Sequence, residues 1–188
     1  MLQGIILAGG ESSRAKVNKL LLKVSNKELI SHTIDSMRPF VDKIIVVTGK
    51  YHDQLLPFLK DVEVVRNNDY IKGMFSSVQA GVGLVEGDFL IIPGDIGFVK
   101  EETYRALINK GVKTGEVLRP TYKGKSGHPM LVSSSLKRGI LKEPVESNLR
   151  DFISKRKIKE IEVDDEFINV DIDTLEEYED VKNKLERN

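Results

Sequence analysis

The sequence contains no cysteine, which excludes a disulfide scaffold, a thiolate metal site and thiol catalysis together, and fits an intracellular chain. Charge of neither sign is in excess. The 29 Lys and Arg match 29 Asp and Glu, so no global basic field points to nucleic acid and no acidic surplus points to disorder. No stretch approaches the ~20 apolar residues of a membrane span, and the short apolar start lacks the cleavage pattern of a signal peptide. No membrane partner is expected, and the chain reads as cytoplasmic. Repeats and low-complexity segments are absent as well, so residues 1–188 read as a single domain, with 40% hydrophobic and 31% charged residues to build a core and its surface. Any anion site must be local.

What is present is an alternation of short apolar runs with longer amphipathic ones, the pattern of an α/β fold. GIILA (4–8), KIIVVT (43–48), VEVV (62–65) and FLIIP (89–93) are β-branched or leucine-rich and bounded by Gly, Asp, Asn or Pro, as buried parallel strands are. Between them, residues 28–37 carry Leu29, Ile30, Thr33, Ile34 and Met37 at helical spacing, with a stop near Pro39. Helices also fit 51–59, disturbed at Pro57, then 76–85 and 101–110. The second half is less regular. It predicts strands near 115–119, 129–132 and 158–163, helices near 133–141 and 147–155, and a last helix capped by Thr174. The expected architecture is a single three-layer α/β/α domain with a Rossmann-like, mostly parallel sheet.

In an open sheet of this kind ligands bind outside the carboxyl ends of the strands. The first strand there runs into LAGGESSRAKVNK, in which the Gly9–Gly10 pair lets the backbone approach a ligand and aim N–H groups at an anion, phosphate being the natural candidate. Two common glycine fingerprints are missing. GGESSR is not GxGxxG, and GKS at 124–126 lacks the earlier glycine of a P-loop, Arg119 standing in its place. Asp95, just past FLIIP, lies at the carboxyl end of a central strand and therefore beside the first loop.

A third pattern does fit. LAGGESSRAKVNKLLL resembles the L-A-A/G-G-x-S-x-R-M-G-x-x-K loop of the molybdenum cofactor nucleotidyltransferases, small enzymes that attach CMP or GMP to molybdopterin. GMFSSVQAG (73–81) is similar to that family's G-M-x-x-S-L-x-x-G, and PGD (93–95) stands at its metal-binding G-D. PTYKGKSGHP (120–129) resembles P-x-Y-x-G-x-x-G-H-P, and DIDTLEEY (171–178) resembles D-I-D-T-P-E-D-Y. Differences include Ala15 for methionine, Lys16 for glycine, Gly97 for the proline of G-D-x-P, and Leu175 for a proline. The LAGG loop goes with the guanylyl branch, whereas the Gly-His-Pro and Asp-Ile-Asp-Thr elements and the 73–81 segment go with the cytidylyl branch, which favours CTP over GTP. A glycine at position 9 in place of alanine would by itself make room for a purine.

The resemblance implies a nucleotide-diphospho-sugar transferase type of fold and assigns roles. Leu7, Ala8, Gly9 and Gly10 would hold the nucleotide, Arg14 and Lys19 would offset charge building on the α-phosphate and the leaving pyrophosphate, and Asp95 and Asp173 would bind Mg²⁺. Asp171 points to the same face as Asp173 in an extended chain, so the choice between them stays open. Ser76 and Ser77 are candidates for the base or ribose and equally for helix caps. His128 is cast as an acceptor-phosphate or orienting residue, because a phosphate monoester arrives as an anion and needs no general base. The implied partners are an NTP (CTP or GTP), a phosphorylated acceptor such as molybdopterin, and in transient contact a molybdoenzyme or its chaperone. A sugar-phosphate or polyol-phosphate nucleotidyltransferase, or a nucleotide-binding accessory protein without turnover, remain the alternatives.

Overall fold

A computed structural model describes residues 1–10, 18–170, 179 and 181. The first strand, β1 (Gln3–Ala8), is followed by a small hairpin of β2 (Lys23–Val24) and β3 (Lys27–Glu28), then α1 (Leu29–Met37), β4 (Lys43–Thr48), α2 (His52–Leu55), β5 (Glu63–Arg66), α3 (Met74–Leu84) and β6 (Phe89–Pro93). The second half holds α4 (Glu101–Lys110), β7 (Glu116–Tyr122), β8 (Lys125–Ser126), β9 (Met130–Val132), α5 (Lys137–Lys142), α6 (Leu149–Ser154) and β10 (Lys157–Glu162). The sheet order is β10-β7-β9-β6-β1-β4-β5, with β8 added to β7.

The strands form where β-branched runs can be buried on both faces. In β1, Ile5 and Ile6 are both fully buried but point to opposite sides, as the period of two requires. Ile6 joins Ile30, Ile34 and Met37 of α1 and Tyr104 and Leu107 of α4, whereas Ile5 joins Phe75, Val78 and Val82 of α3 and Phe152 of α6. Helices therefore cover both faces of the sheet, as expected. Helix α1 buries Leu29, Ile30, Thr33, Ile34 and Met37 and gives way to a 3-10 turn at Arg38–Phe40, where Pro39 cannot continue the ladder. Pro57 likewise shortens the predicted 51–59 helix to α2 and a 3-10 turn, Leu56–Phe58.

Three features differ from the sequence-based expectation. The β2–β3 hairpin and β8 carry too few residues to show a period. β9 runs antiparallel to both β6 and β7, within a sheet whose β1–β4, β1–β6, β4–β5 and β7–β10 pairs are parallel. Met130, the first residue of β9, consequently pairs with Ile91 near the end of β6, and the chain entering β9 is delivered to the carboxyl edge of the parallel strands. The helix expected from Thr174 falls mostly outside the described residues; Glu179 and Val181 are described and helical, Val181 packing with Leu29 and Phe167. Among the described residues no helix is long and apolar enough to cross a membrane.

Candidate active site

The register of β1 on β6 decides where the site lies. Leu7 pairs with Pro93, and the Gly94 N–H donates to the Leu7 carbonyl at 2.9 Å, carrying the parallel ladder one step past β6. Gly9–Gly10 and Asp95 thus leave neighbouring strands side by side. The Gly94 carbonyl is held from the other side by the Thr33 hydroxyl of α1, at 2.7 Å. A side chain at Gly97 would fit tightly, its Cβ 3.0 Å from that of His32.

Lys19 approaches Asp95 from a 3-10 turn, Lys19–Leu21. Asn18 caps this turn by accepting from the Leu20 N–H at 3.2 Å, and buried Leu20 anchors it to the core. The Lys19 Nζ lies 2.5 Å from Asp95 Oδ2, with the side chains 18% and 11% exposed. Such a pair is a charge-assisted contact with little water to screen it.

His128 arrives from the β8–β9 turn. Its N–H donates to the Ile168 carbonyl at 2.8 Å, while the Gly127 N–H donates to Pro120 at 2.9 Å, and the His128–Pro129 peptide is cis. The residue borders a cavity, yet burial of the imidazole lowers its pKa to about 4 from 6.5, only partly opposed by the negative charge of Asp95. The ring is neutral at pH 7. It can donate one hydrogen bond to a substrate oxygen but brings no charge.

The cavity has a volume of about 820 Å³. Leu7, Lys19, Asp95 and His128 border it, and Ile91, Pro93 and Met130 contribute apolar surface where β6 and β9 end. One side is the segment Lys72–Phe75 with Val78, and another is the segment Glu146–Arg150 with Ile153. Arg119 and Ser126 are also on its surface; the Arg119 guanidinium is engaged with Glu160 Oε1 through Nε (2.9 Å) and Nη2 (2.6 Å).

Other predicted site residues are placed differently. Ala8 and Gly9 are buried and Gly10 is exposed, with none of the described residues within 4 Å of where its side chain would project. The room that Gly9 leaves is not free for a purine: a Cβ there would sit 2.5 Å from Ser77 Oγ. Ser76 and Ser77 are 5% and 3% exposed and are absent from the cavity wall. Both hydroxyls accept from Asn67 Nδ2, at 2.8 and 3.0 Å. Arg14, Asp171 and Asp173 lie outside the described residues. Among the described residues no group of three or more His, Asp or Glu could hold a metal by itself. Sequence reasoning passed over Asn67, Arg119 and the Glu146–Arg150 wall. Asn67 was the most visible of these, a polar residue at the end of a strand.

Comparison with known proteins identifies the family and the fold. Residues 4–161 match the family model of the MobA-like NTP transferase domain. The chain is 26% identical over 178 residues to a molybdenum cofactor cytidylyltransferase of Escherichia coli, covering 93% of this chain and 92% of that protein. It is 26% identical over 187 residues to a probable molybdenum cofactor guanylyltransferase of Flavobacterium johnsoniae, covering 96% of each. In fold it resembles a nucleotidyl transferase from Methanothermobacter thermautotroptrophicus, with a TM-score of 0.85 at 23% identity over 100% of this chain and 98% of the other.

Proposed function

Because the chain belongs to the MobA-like NTP transferase family, we propose that this nucleotidyltransferase moves a nucleoside monophosphate, CMP in preference to GMP, from an NTP to the phosphate of molybdopterin or a related acceptor, with release of pyrophosphate. The observation that carries the reading is the Lys19–Asp95 pair on the wall of a cavity where the loops after β1 and β6 meet. An ammonium and a carboxylate so placed offer one group for phosphate oxygens and one for a divalent cation.

An acceptor phosphate oxygen attacks the α-phosphorus, a new P–O bond forms, and the bond to the pyrophosphate oxygen breaks. Negative charge grows on the leaving group, where Lys19 supplies compensation; Arg14 is assigned the same task by its place in the motif. Gly10, without a side chain and with none of the described residues within 4 Å of where one would project, lets backbone N–H groups approach phosphate. The acceptor comes as an anion, so no side chain has to remove a proton. Neutral His128 is suited to hold the acceptor phosphate by a hydrogen bond.

The donor set fits Mg²⁺. Asp95 supplies one carboxylate, and a cation that takes its remaining ligands from phosphate and water needs only one or two. Asp173 would be the second. Bound there, Mg²⁺ would neutralise phosphate charge. The preference for CTP rests on the Gly-His-Pro segment and on Ser77, which fills the room left by Gly9.

The test is pyrophosphate release with each common NTP against molybdopterin, sugar phosphates and polyol phosphates. Turnover with molybdopterin and CTP ahead of GTP is expected. Turnover confined to a sugar or polyol phosphate overturns the acceptor, and GTP ahead of CTP overturns the base.

A further inference from the structure

Asp165 is 1% exposed and stands off the cavity wall, and both of its oxygens are in use. Oδ2 accepts from the Lys100 N–H at 2.8 Å and from the Thr103 hydroxyl at 2.7 Å, capping α4 in place of Lys100, whose own side chain makes no cap. Oδ1 accepts from the Phe167 N–H at 3.0 Å and starts a 3-10 turn, Glu166–Asn169. One carboxylate thus ties that turn to the end of the loop that carries Asp95. The turn in its place lies over the chain between β8 and β9. Its Ile168 carbonyl accepts the His128 N–H at 2.8 Å, and Asn169 Nδ2 donates to the Lys125 carbonyl at 3.3 Å. The approach is close enough to require glycine at position 127, where a Cβ would run into the Ile168 carbonyl oxygen and come within 2.6 Å of Asn169 Oδ1.

The geometry points to Asp165 as a positioning residue for the acceptor side of the site: by fixing the Glu166–Asn169 turn against α4, it sets the carbonyl that holds His128 at the cavity Asp95 also borders. Asp165 touches no substrate; it acts through Ile168 and His128. The inference rests on the proposal that His128 holds the acceptor phosphate.

Asp165→Asn keeps the shape but has one acceptor oxygen, so its NH₂ must face the N–H of either Lys100 or Phe167 and the tie is cut at one end. Gly127→Ala pushes on the Ile168 carbonyl from the other side and leaves Asp165 alone, so the two variants test one contact by separate routes. Glu116→Gln, which weakens the fold away from the site, is the control for lost stability. Steady-state KM and kcat with CTP and molybdopterin, melting temperature and the imidazole NMR resonances are measured, His128 being assigned by its loss in His128→Ala and His52 on α2 serving as reference. Acceptor KM should rise about five- to tenfold in Asp165→Asn, the worth of the one neutral hydrogen bond His128 offers, with NTP KM and kcat little changed. Added to His128→Ala, Asp165→Asn should raise acceptor KM no further. The His128 resonance should move in Asp165→Asn and Gly127→Ala and stay in Glu116→Gln. A His128 resonance unmoved in both site variants, a rise in both substrates' KM together, or an additive double variant overturns the inference. A wild-type chain inactive with molybdopterin overturns the proposed acceptor, and the His128 resonance then decides this inference by itself.

Discussion

Asp95 follows the carboxyl end of β6 and Glu116 opens the amino end of β7, so two buried carboxylates stand at opposite edges of one sheet. Glu116 is saturated. Lys157 lies 3.1 Å from Oε1, Lys159 lies 2.9 Å from Oε2, and the Lys113 N–H donates to Oε2 at 3.0 Å. Lys159, then the Lys113 N–H and Lys157, outweigh burial and hold its carboxyl at about 2. These contacts tie the edge strand β10 to β7. Asp95 has one ionic partner among the described residues, Lys19, and a cavity beside it. A carboxylate whose lone pairs all meet the protein's own donors holds the fold together. One that keeps capacity toward a cavity can serve a substrate or cation.

The largest expected effect is at Asp95. Asp95→Asn should lower pyrophosphate release on the order of 10² to 10³-fold with the melting curve preserved, in the range seen when a group that meets developing charge is removed. Glu116→Gln should do the reverse, lowering the melting temperature and leaving kcat/KM alone. A comparable loss of turnover in Glu116→Gln would break the contrast. Lys19→Ala is the next test: turnover should fall about 10²-fold, while Mn²⁺ titrated without nucleotide should bind more tightly, because the ammonium 2.5 Å from Asp95 opposes a second cation. Unchanged Mn²⁺ affinity would take Asp95 out of the metal site.

A smaller effect is expected at Gly9. The 2.5 Å approach of its missing Cβ to Ser77 Oγ means that Gly9→Ala displaces Ser77 whichever base is bound. CTP and GTP should weaken together by several-fold, and a variant that turned away GTP alone would restore Gly9 as the base selector.

The pH dependence of stability separates the two edges more gently. Glu116 has a folded pKa of about 2 against 4.5 ordinarily, so its contribution is complete above pH 4.5 and is lost as pH falls toward 2. Glu116→Gln should flatten the melting-temperature profile in that window. His128 acts earlier. Its folded pKa of about 4 lies below 6.5, so between those values the unfolded chain binds the proton and the folded chain does not, and stability declines as pH drops from 6.5 to 4. His128→Ala should remove that slope and raise the acceptor KM. An unchanged profile between pH 6.5 and 4 would show that the imidazole is not enclosed.

Much of the site could be read locally. KIIVVT and FLIIP declare themselves as strands because β-branched runs have few other uses, and a glycine pair after the first of such runs marks a ligand edge. Lys19 and Asp95 were found through motifs and meet in the structure. The remainder depended on partners far along the chain. Met130–Val132 is too short to reveal its direction, and only the antiparallel setting of β9 takes His128 to the carboxyl edge. Gly9 looked like an opening; it is a contact with a serine 68 positions later, as the residue numbers 9 and 77 show. Gly97, where the family pattern has proline, lies against His32 and Thr33 of α1.

By itself the sequence determined the α/β class, the order of strands and helices in the first half, and the lysine and aspartate that meet at the carboxyl edge of the sheet. Each of these is encoded within a few residues, by periodicity, by turn chemistry or by a motif. Tertiary structure alone decided that β9 runs antiparallel, that His128 is neutral, that Ser77 fills the space beside Gly9 and that Asn67 bonds the two serines. Those outcomes depend on which groups share a desolvated space. Distance, burial and hydrogen-bond polarity between remote residues exist only once the chain has folded.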